Sequence, residues 1–465
     1  MASFAKPTTP RFAVEVHQNP YLPEGGREVH AVITVTATGG GTSGGLPLPA
    51  SAQPAGSGQP ATPATEAPAP AGADAPRAAV VLMVDCSGSM SYPPQKIRHA
   101  REATGAAVDA LRDGVAFAIV AGTHEAREIY PGEGRLAVAG PATRADAKAT
   151  LRRLRPDGGT AISTWLWCAD RLLTASGAAI RHGILLTDGR NEHEEPGALR
   201  AALDACSGHF TCDARGVGTD WEVTEVTGIA TALLGTADIV AESSGLAEDF
   251  RTMMTAAMGK GVADVALRLW TPAGAEIGFV KQVAPTVTDL TDRRAPVAAR
   301  AGDYPTGSWG DESRDYHVCV RVPAAAVGQE MLAARVCLVQ PLPDGGADVL
   351  GQGLVRAVWT DDAAASTAIS PQVAHYTGQA ELAHAIQQGL SARKAGDTGG
   401  ATTRLGRAVQ LAAALGHADT ARLLAKVVDV VDEANGTVRL KTAVAEADEM
   451  TLETRSTKTV RVKSG

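Results

Sequence analysis

Between Ala78 and Lys260 the chain alternates between two kinds of stretch, and that alternation leaves few folds open. Short runs are apolar at nearly every residue: "AVVLMV" (79–84), "VAFAIV" (115–120), "GILLT" (183–187), "FTCDARGV" (210–217) and "ADIVA" (237–241). Amphipathic stretches lie between and after them, at Gln95–Arg112, Ala145–Leu154, Ile162–Ala175, Gly197–Cys206, Glu222–Leu234 and Leu246–Met258. A strand that is apolar on both faces must be covered on both faces. Strand, helix, strand at this spacing makes right-handed crossovers, so the segment reads as α/β: a mostly parallel sheet with helices on either side.

The flanks follow a different period. "FAVEV" (12–16) and "VHAVITVT" (29–36) alternate apolar and polar residues, as half-buried strands do. The same period returns in "VALRLW" (265–270), "YHVCVRV" (316–322), "ARVCLVQ" (334–340) and "LVRAVW" (354–359), with turn signals such as "PDGG" at 343–346. Two strands alone need a sheet to join. The economical arrangement puts residues 1–37 into an antiparallel β-sandwich completed by residues 261–362, with the α/β unit of residues 78–260 inserted in it. Residues 38–77, almost wholly Gly, Pro, Ala, Ser and Thr, are expected to be a disordered linker, because such a composition buries too little apolar surface to offset its ordering entropy. Residues 371–435 read as a small three-helix unit like a single tetratricopeptide hairpin, with apolar stripes at Leu382, Ile386, Leu390, then Leu405, Val409, Ala412, then Leu424, Val427, Val428, Val431. One copy without a repeat argues for a packing appendage rather than a peptide groove. Residues 436–465 are expected to end as an edge strand or a frayed tail.

Ligands of an open α/β sheet bind beyond the carboxyl ends of its strands. Three loops should meet there: "DCSGS" from Asp85 to Ser89, "PDGGTAIS" from Pro156 to Ser163, and "LLTDGRNE" from Leu185 to Glu192. Their oxygen ligands have a physical logic. Mg2+ takes oxygen ligands in octahedral geometry and gives up water reluctantly. The hydroxyls of Ser87, Ser89 and Thr160 can bind it directly, and Asp85 and Asp188 can balance its charge. Few direct carboxylates leave the ion electrophilic, so that it seeks an anionic ligand from outside. In order and spacing these loops resemble the metal-ion-dependent adhesion site of von Willebrand factor A domains, over residues 78–260. Asp85, Ser87 and Ser89 match that family's D-x-S-x-S, Thr160 its single Thr, and Asp188 its distal Asp. The resemblance implies a Rossmann-like sheet of six strands with one antiparallel edge strand, for which "AREIY" (126–130) is suited. It implies Mg2+ or Mn2+ held by the three hydroxyls, with the aspartates acting mostly through water, and a vacant position for a carboxylate from a protein partner.

Other motifs carry less. D-x-S-x-S alone also serves turns and helix caps. "PGEGRLA" (131–137) fits a dinucleotide fingerprint in letters, but a short strand-like run follows it instead of a helix. No nucleophile elbow and no P-loop are present. Cys206, His209 and Cys212 lack a second ligand pair, so no zinc site is expected there. "NEHEEP" (191–196) reads as the solvated start of a helix with Pro196 in its first turn; His193 within it is not expected to bind the metal. Trp165 and Trp167 face opposite sides, so core packing accounts for at least one of them.

The 465 residues carry a formal charge of −8, which does not favour nucleic acid as partner. The start, "MASFAKPTTPRFAVEV", has no signal-peptide pattern, and no run approaches a membrane span. The six cysteines read as reduced thiols. The expectation is a cytoplasmic protein of bacterial type. It is read as a Mg2+-dependent protein-binding scaffold and not an enzyme, and the resemblance implies partners such as ATPases of the AAA class or signalling proteins. Two rivals remain: an accessory subunit of an AAA-type ATPase or chelatase-like machine, and a metal-assisted hydrolase, whose general base could come only from Glu192–Glu195.

Overall fold

The computed structural model describes residues 10–39, 77–342 and 346–461. Apart from its ends, the expected linker lies outside the described residues. Before it come β1 (Arg11–Gln18), β2 (Tyr21–Leu22) and β3 (Glu28–Thr38). The α/β unit follows: β4 (Ala78–Asp85), α1 (Gln95–Ala110), β5 (Ala116–Gly122), β6 (Ala126–Tyr130), β7 (Ala137–Val138), α2 (Pro141–Leu151), α3 (Ile162–Ala175), β8 (Ile180–Thr187), α4 (Ala198–Cys206), β9 (Thr211–Val217), α5 (Val223–Ala232), β10 (Ala237–Val240) and α6 (Leu246–Met258). Then come β11 (Val262–Trp270), β12 (Glu276–Ala284), β13 (Thr288–Asp289), β14 (Ala295–Ala298), β15 (Ala301–Trp309), β16 (Glu312–Arg321), β17 (Glu330–Pro341) and β18 (Ala347–Trp359). The chain ends in α7 (Ala363–Thr367), α8 (Pro371–Lys394), α9 (Thr398–Ala414), α10 (Ala418–Val427), β19 (Val428–Asp432), β20 (Thr437–Leu440) and α11 (Glu446–Arg455).

The central sheet runs β10-β9-β8-β4-β5-β6, with β7 also paired to β5. Its first five strands are parallel, while β6 and β7 are antiparallel to β5. The sheet therefore has one more antiparallel strand than the sequence suggests. Side chains alternate between two cores, as the pleat requires. Val80, Leu82 and Val84 of β4 pack with Ala100, Ala103, Phe250 and Met254 of α1 and α6. Val81 and Met83 pack with Trp165, Leu166 and Ile229 of α3 and α5.

The strands that flank the α/β unit form two facing sheets, β1-β3-β16-β12-β13 and β14-β15-β11-β17-β18-β2. Strand β3 lies between β1 and β16, paired with β16 from Glu28 opposite Arg321 to Ala37 opposite Glu312. The chain before the α/β unit and the chain after it thus share one sheet and one core, which includes Val29, Ile33, Val318 and Val320.

The C-terminal part departs from expectation in two places. The third stripe reads as helical through Val431, but α10 stops at Val427 and Val428–Asp432 pairs with Thr437–Leu440 as a hairpin. The segment beyond, expected to be a strand or frayed tail, contains α11. Arg455 and Lys458 grip Asp238 of the α/β unit at 2.8 and 2.6 Å. Arg461 forms two bonds to Asp315 of the sandwich, at 2.9 and 3.0 Å, and Tyr376 of α8 donates its hydroxyl to the same carboxylate. The basic end of the chain therefore ties all three regions together. Among the described residues no helix is long and apolar enough to cross a membrane.

The amino ends of β8 and β9 face the sandwich through buried polar groups. Asp213 lies 3.0 Å from His182 and accepts from the backbone N–H and hydroxyl of Thr236 at 2.7 and 2.6 Å. Burial pushes this carboxyl up, but His182, Arg215 and Thr236 outweigh it and hold the group well below the usual carboxylate range. Asp213→Asn is expected to cost about 1.5–3 kcal/mol at neutral pH, the worth of hydrogen bonds to a charged group. A depressed folded-state pKa contributes stability above about pH 4 that is lost as the pH falls below it. Urea denaturation at stepped pH should show the gap between variant and wild type closing in acid, and a gap that ignores pH contradicts the assignment.

Candidate metal centre

Strand β4 ends on Asp85, opposite Gly122 at the end of β5, and β8 delivers Thr187 and Asp188 beside it. Asp85 is fully buried and organises the first loop. One of its oxygens accepts from the Ser87 N–H at 2.8 Å and the Ser87 hydroxyl at 2.5 Å. The other accepts from the Thr187 hydroxyl at 2.7 Å and the Asp188 N–H at 3.3 Å. Ser87 Oγ lies 2.9 Å from Ser89 Oγ, which donates to Asp188 Oδ1 at 2.7 Å.

The second loop is zipped to the first through its backbone. Gly88 N–H donates to Gly158 C=O at 2.8 Å, and Asp157 N–H to Cys86 C=O at 2.7 Å. Gly158 has φ +72°, and a Cβ there would stand 2.4 Å from the His124 ring, so only glycine fits. The turn brings Thr160 to the other donors. Gly189 shows how closely they converge: a Cβ on it would lie 3.2 Å from Ser89 Oγ, 3.4 Å from Thr160 Oγ1 and 3.9 Å from Ser87 Oγ. The absent side chain leaves a hollow that three hydroxyls face. The structure thus brings Asp85, Ser87, Ser89, Thr160 and Asp188 together.

Several supporting residues were not read from the sequence. His193 is a clamp on the second loop: its Nδ1 accepts from Thr160 N–H at 3.2 Å, and its own N–H donates to Thr160 C=O at 3.0 Å. The acidic loop does not begin α4, whose N-cap is Gly197, with Pro196 outside the helix. It caps α3 instead. Asn191 Oδ1 accepts from Ile162 N–H at 2.8 Å and Glu194 Oε2 from Ser163 N–H at 3.0 Å. This supplies the acceptors that Ala161, at the N-cap, lacks. Trp165 is buried beneath the second loop and donates its indole N–H to Thr123 C=O at 2.7 Å, whereas Trp167 is 47% exposed.

Two buried carboxyl groups dominate the electrostatics of this pocket. Burial, and then the charge of Asp188, push Asp85 up to about 6. Two buried carboxylates this close need positive charge between or beside them. Lys96 supplies some: its ammonium lies 2.7 Å from Asp188 Oδ2 and 3.2 Å from Asp220. Burial opposes the charge on Lys96, but the two aspartates outweigh it and raise its pKa. The Lys96 ammonium is thus the partner of the buried Asp188 Oδ2, as Ser89 is of Oδ1. An all-oxygen set of three hydroxyls and two carboxylates fits a hard divalent cation.

Residues 78–239 match the model of the von Willebrand factor type A domain, and residues 410–456 that of the von Willebrand factor type A C-terminal domain. A solved von Willebrand factor type A protein from Catenulispora acidiphila is 48% identical over 99% of both chains, with a TM-score of 0.87. The ArnB paralog VWA2 from Sulfolobus acidocaldarius shares the fold at 12% identity and a TM-score of 0.55, over 97% of this chain and 98% of its own. No curated protein matches the sequence. Domains of this type often serve as protein-interaction modules with a metal site. With near-complete coverage by a relative at 48% identity, the chain belongs to the von Willebrand factor type A family.

Proposed function

We propose that this protein is a Mg2+-dependent interaction scaffold whose metal centre captures an acidic side chain of a protein partner. The observation that carries the reading is the convergence of the Ser87, Ser89 and Thr160 hydroxyls on the hollow beside Gly189, next to the buried Asp85 and Asp188. These five residues would hold Mg2+ or Mn2+. When bound, the ion supplies electrophilic attraction for a carboxylate from outside. The chain does the positioning: Asp85 fixes the Ser87 hydroxyl, Ser89 bridges to Asp188, and His193 with the Gly158 turn sets Thr160. Tyr92, 82% exposed just after the first loop, offers apolar contact beside that carboxylate.

Binding without catalysis is the reading we favour, because Glu194, one of the few candidate bases, is engaged as a cap of α3. We place the protein in a reducing, cytoplasmic setting, which suits its free cysteines, four of them buried. The test is affinity capture of partners from cell extract in Mg2+ and in chelator, with and without nucleotide. Partners retained only in Mg2+ support the proposal, and nucleotide dependence among them would point to an ATPase. Identical capture in both media would remove the metal from the contact.

A further inference from the structure

The sandwich carries a second group of metal-ligating side chains, on the outer face of its five-stranded sheet. On β3 the odd residues Val29 and Ala31 enter the core, which turns Glu28 and His30 outward. On β16 Val318 and Val320 enter the core, which turns His317 and Cys319 outward. The two strands are antiparallel neighbours with His30 directly opposite Cys319. The donor atoms of Glu28, His30 and Cys319 all lie within 4.8 Å of one another. His30 Nδ1 and His317 Nε2 share a hydrogen bond at 3.2 Å; His317 lies outside the group of three and joins it only by giving up that bond.

We propose that His30, His317, Cys319 and Glu28 form a transition-metal site, with zinc as the ion that suits it, separate from the oxygen-only centre of the α/β unit. Two nitrogens, each about 2.0 Å from a tetrahedral ion, sit about 3.3 Å apart, close to the separation found here. Imidazole, thiolate and carboxylate together select zinc over magnesium or calcium. Zinc displaces the Cys319 thiol proton to solvent as the sulfur coordinates. Glu28 now pairs with Arg321 at 3.2 Å, but Arg321 has a second carboxylate, Glu276, at 3.7 Å and stays paired when Glu28 turns to the ion. Lys281 is the other nearby cation, and it is drawn off by Asp289 at 3.6 Å. Phe279 packs edge-on against His317, with ring centroids 4.9 Å apart, and limits its rotation. Exposed Glu28 leaves a way in from solvent. A metal here clips the strand that precedes the α/β insertion to one that follows it, and so stabilises the sandwich by joining segments far apart in sequence.

Cobalt titration of the full chain tests this, with the first centre saturated by excess Mg2+ under reducing conditions. Thiolate ligation gives Co2+ a near-ultraviolet charge-transfer band that an all-oxygen site does not. The expected result is one such band per chain, displaced by Zn2+. It should be lost in Cys319→Ser and need at least about tenfold more metal in His30→Gln and His317→Gln, with circular dichroism showing each variant folded. Absence of the band in wild type, or its survival unchanged in Cys319→Ser or in both histidine variants, overturns the proposal.

Discussion

Asp85→Ala is expected to abolish Mg2+ binding and, with it, metal-dependent partner capture. Asp85 is the hub of the centre: two of its bonds set Ser87, and two fix Thr187 and the start of the third loop. Without it the hydroxyls lose their aim as well as a balancing charge. Wild type at a hundredfold excess of Mg2+ over Kd gains about 2.7 kcal/mol of stability from the bound ion, and the variant should gain none. In chelator the two should lie closer, because the variant leaves buried donors without an acceptor but also relieves the repulsion between Asp85 and Asp188. Asp85→Asn keeps the acceptor for Ser87 and separates loss of charge from loss of shape. Calorimetry with Mg2+ and thermal unfolding with and without chelator read both effects; full metal-induced stabilisation in Asp85→Ala would refute the centre as described. Lys96→Met is the informative opposite. It removes a cation that competes for Asp188, so Mg2+ should bind tighter, on the order of tenfold.

Trp165→Ala should cost about 3–5 kcal/mol, the range for deleting a fully buried tryptophan. The indole occupies space that Gly122 leaves open: a Cβ on that glycine would stand 2.3 Å from the ring. The indole also fixes Thr123 by a 2.7 Å bond. Thr123 in turn accepts from Ala161 N–H at 3.1 Å, next to Thr160. The damage should therefore reach the metal centre, with Mg2+ affinity falling alongside stability. Denaturant unfolding measures the first and calorimetry the second. A loss below about 1 kcal/mol would mean that the cavity collapses around the site, and would refute the role given to this side chain.

Local pattern was enough for the α/β unit because its signals are local. The apolar run ending at Asp85 becomes β4, Ile162–Ala175 is a helix as read, and Ala126–Tyr130 is the antiparallel edge strand. The same holds for the donors of the centre, since short motifs carry them: Asp85, Ser87, Ser89 and Asp188 at the ends of β4 and β8, and Thr160 in the loop between α2 and α3. The hairpin at Val428–Leu440 was missed because the spacing of Leu424, Val427, Val428 and Val431 also fits a helix. Strand pairing across the Glu433–Gly436 turn won, with Gly436 at φ +65°. Helix α11 also had a local signature, with Glu446, Asp448 and Glu449 in its first turn and Arg455 in its last, each favourable to the dipole.

By itself the sequence determined the strands and helices of the α/β unit, the short β7 excepted, and which oxygens its loops present, because both follow from periodicity and from chemistry carried within a few residues. Tertiary structure alone decided that Lys96 would answer Asp188, that His193 and Glu194 would brace the second loop and α3, that Arg455, Lys458 and Arg461 would bind three regions into one body, and that His30 would meet Cys319 across β3 and β16. Each of those contacts joins groups with no pattern in common, and only the closing of the chain on itself brings them within bonding distance.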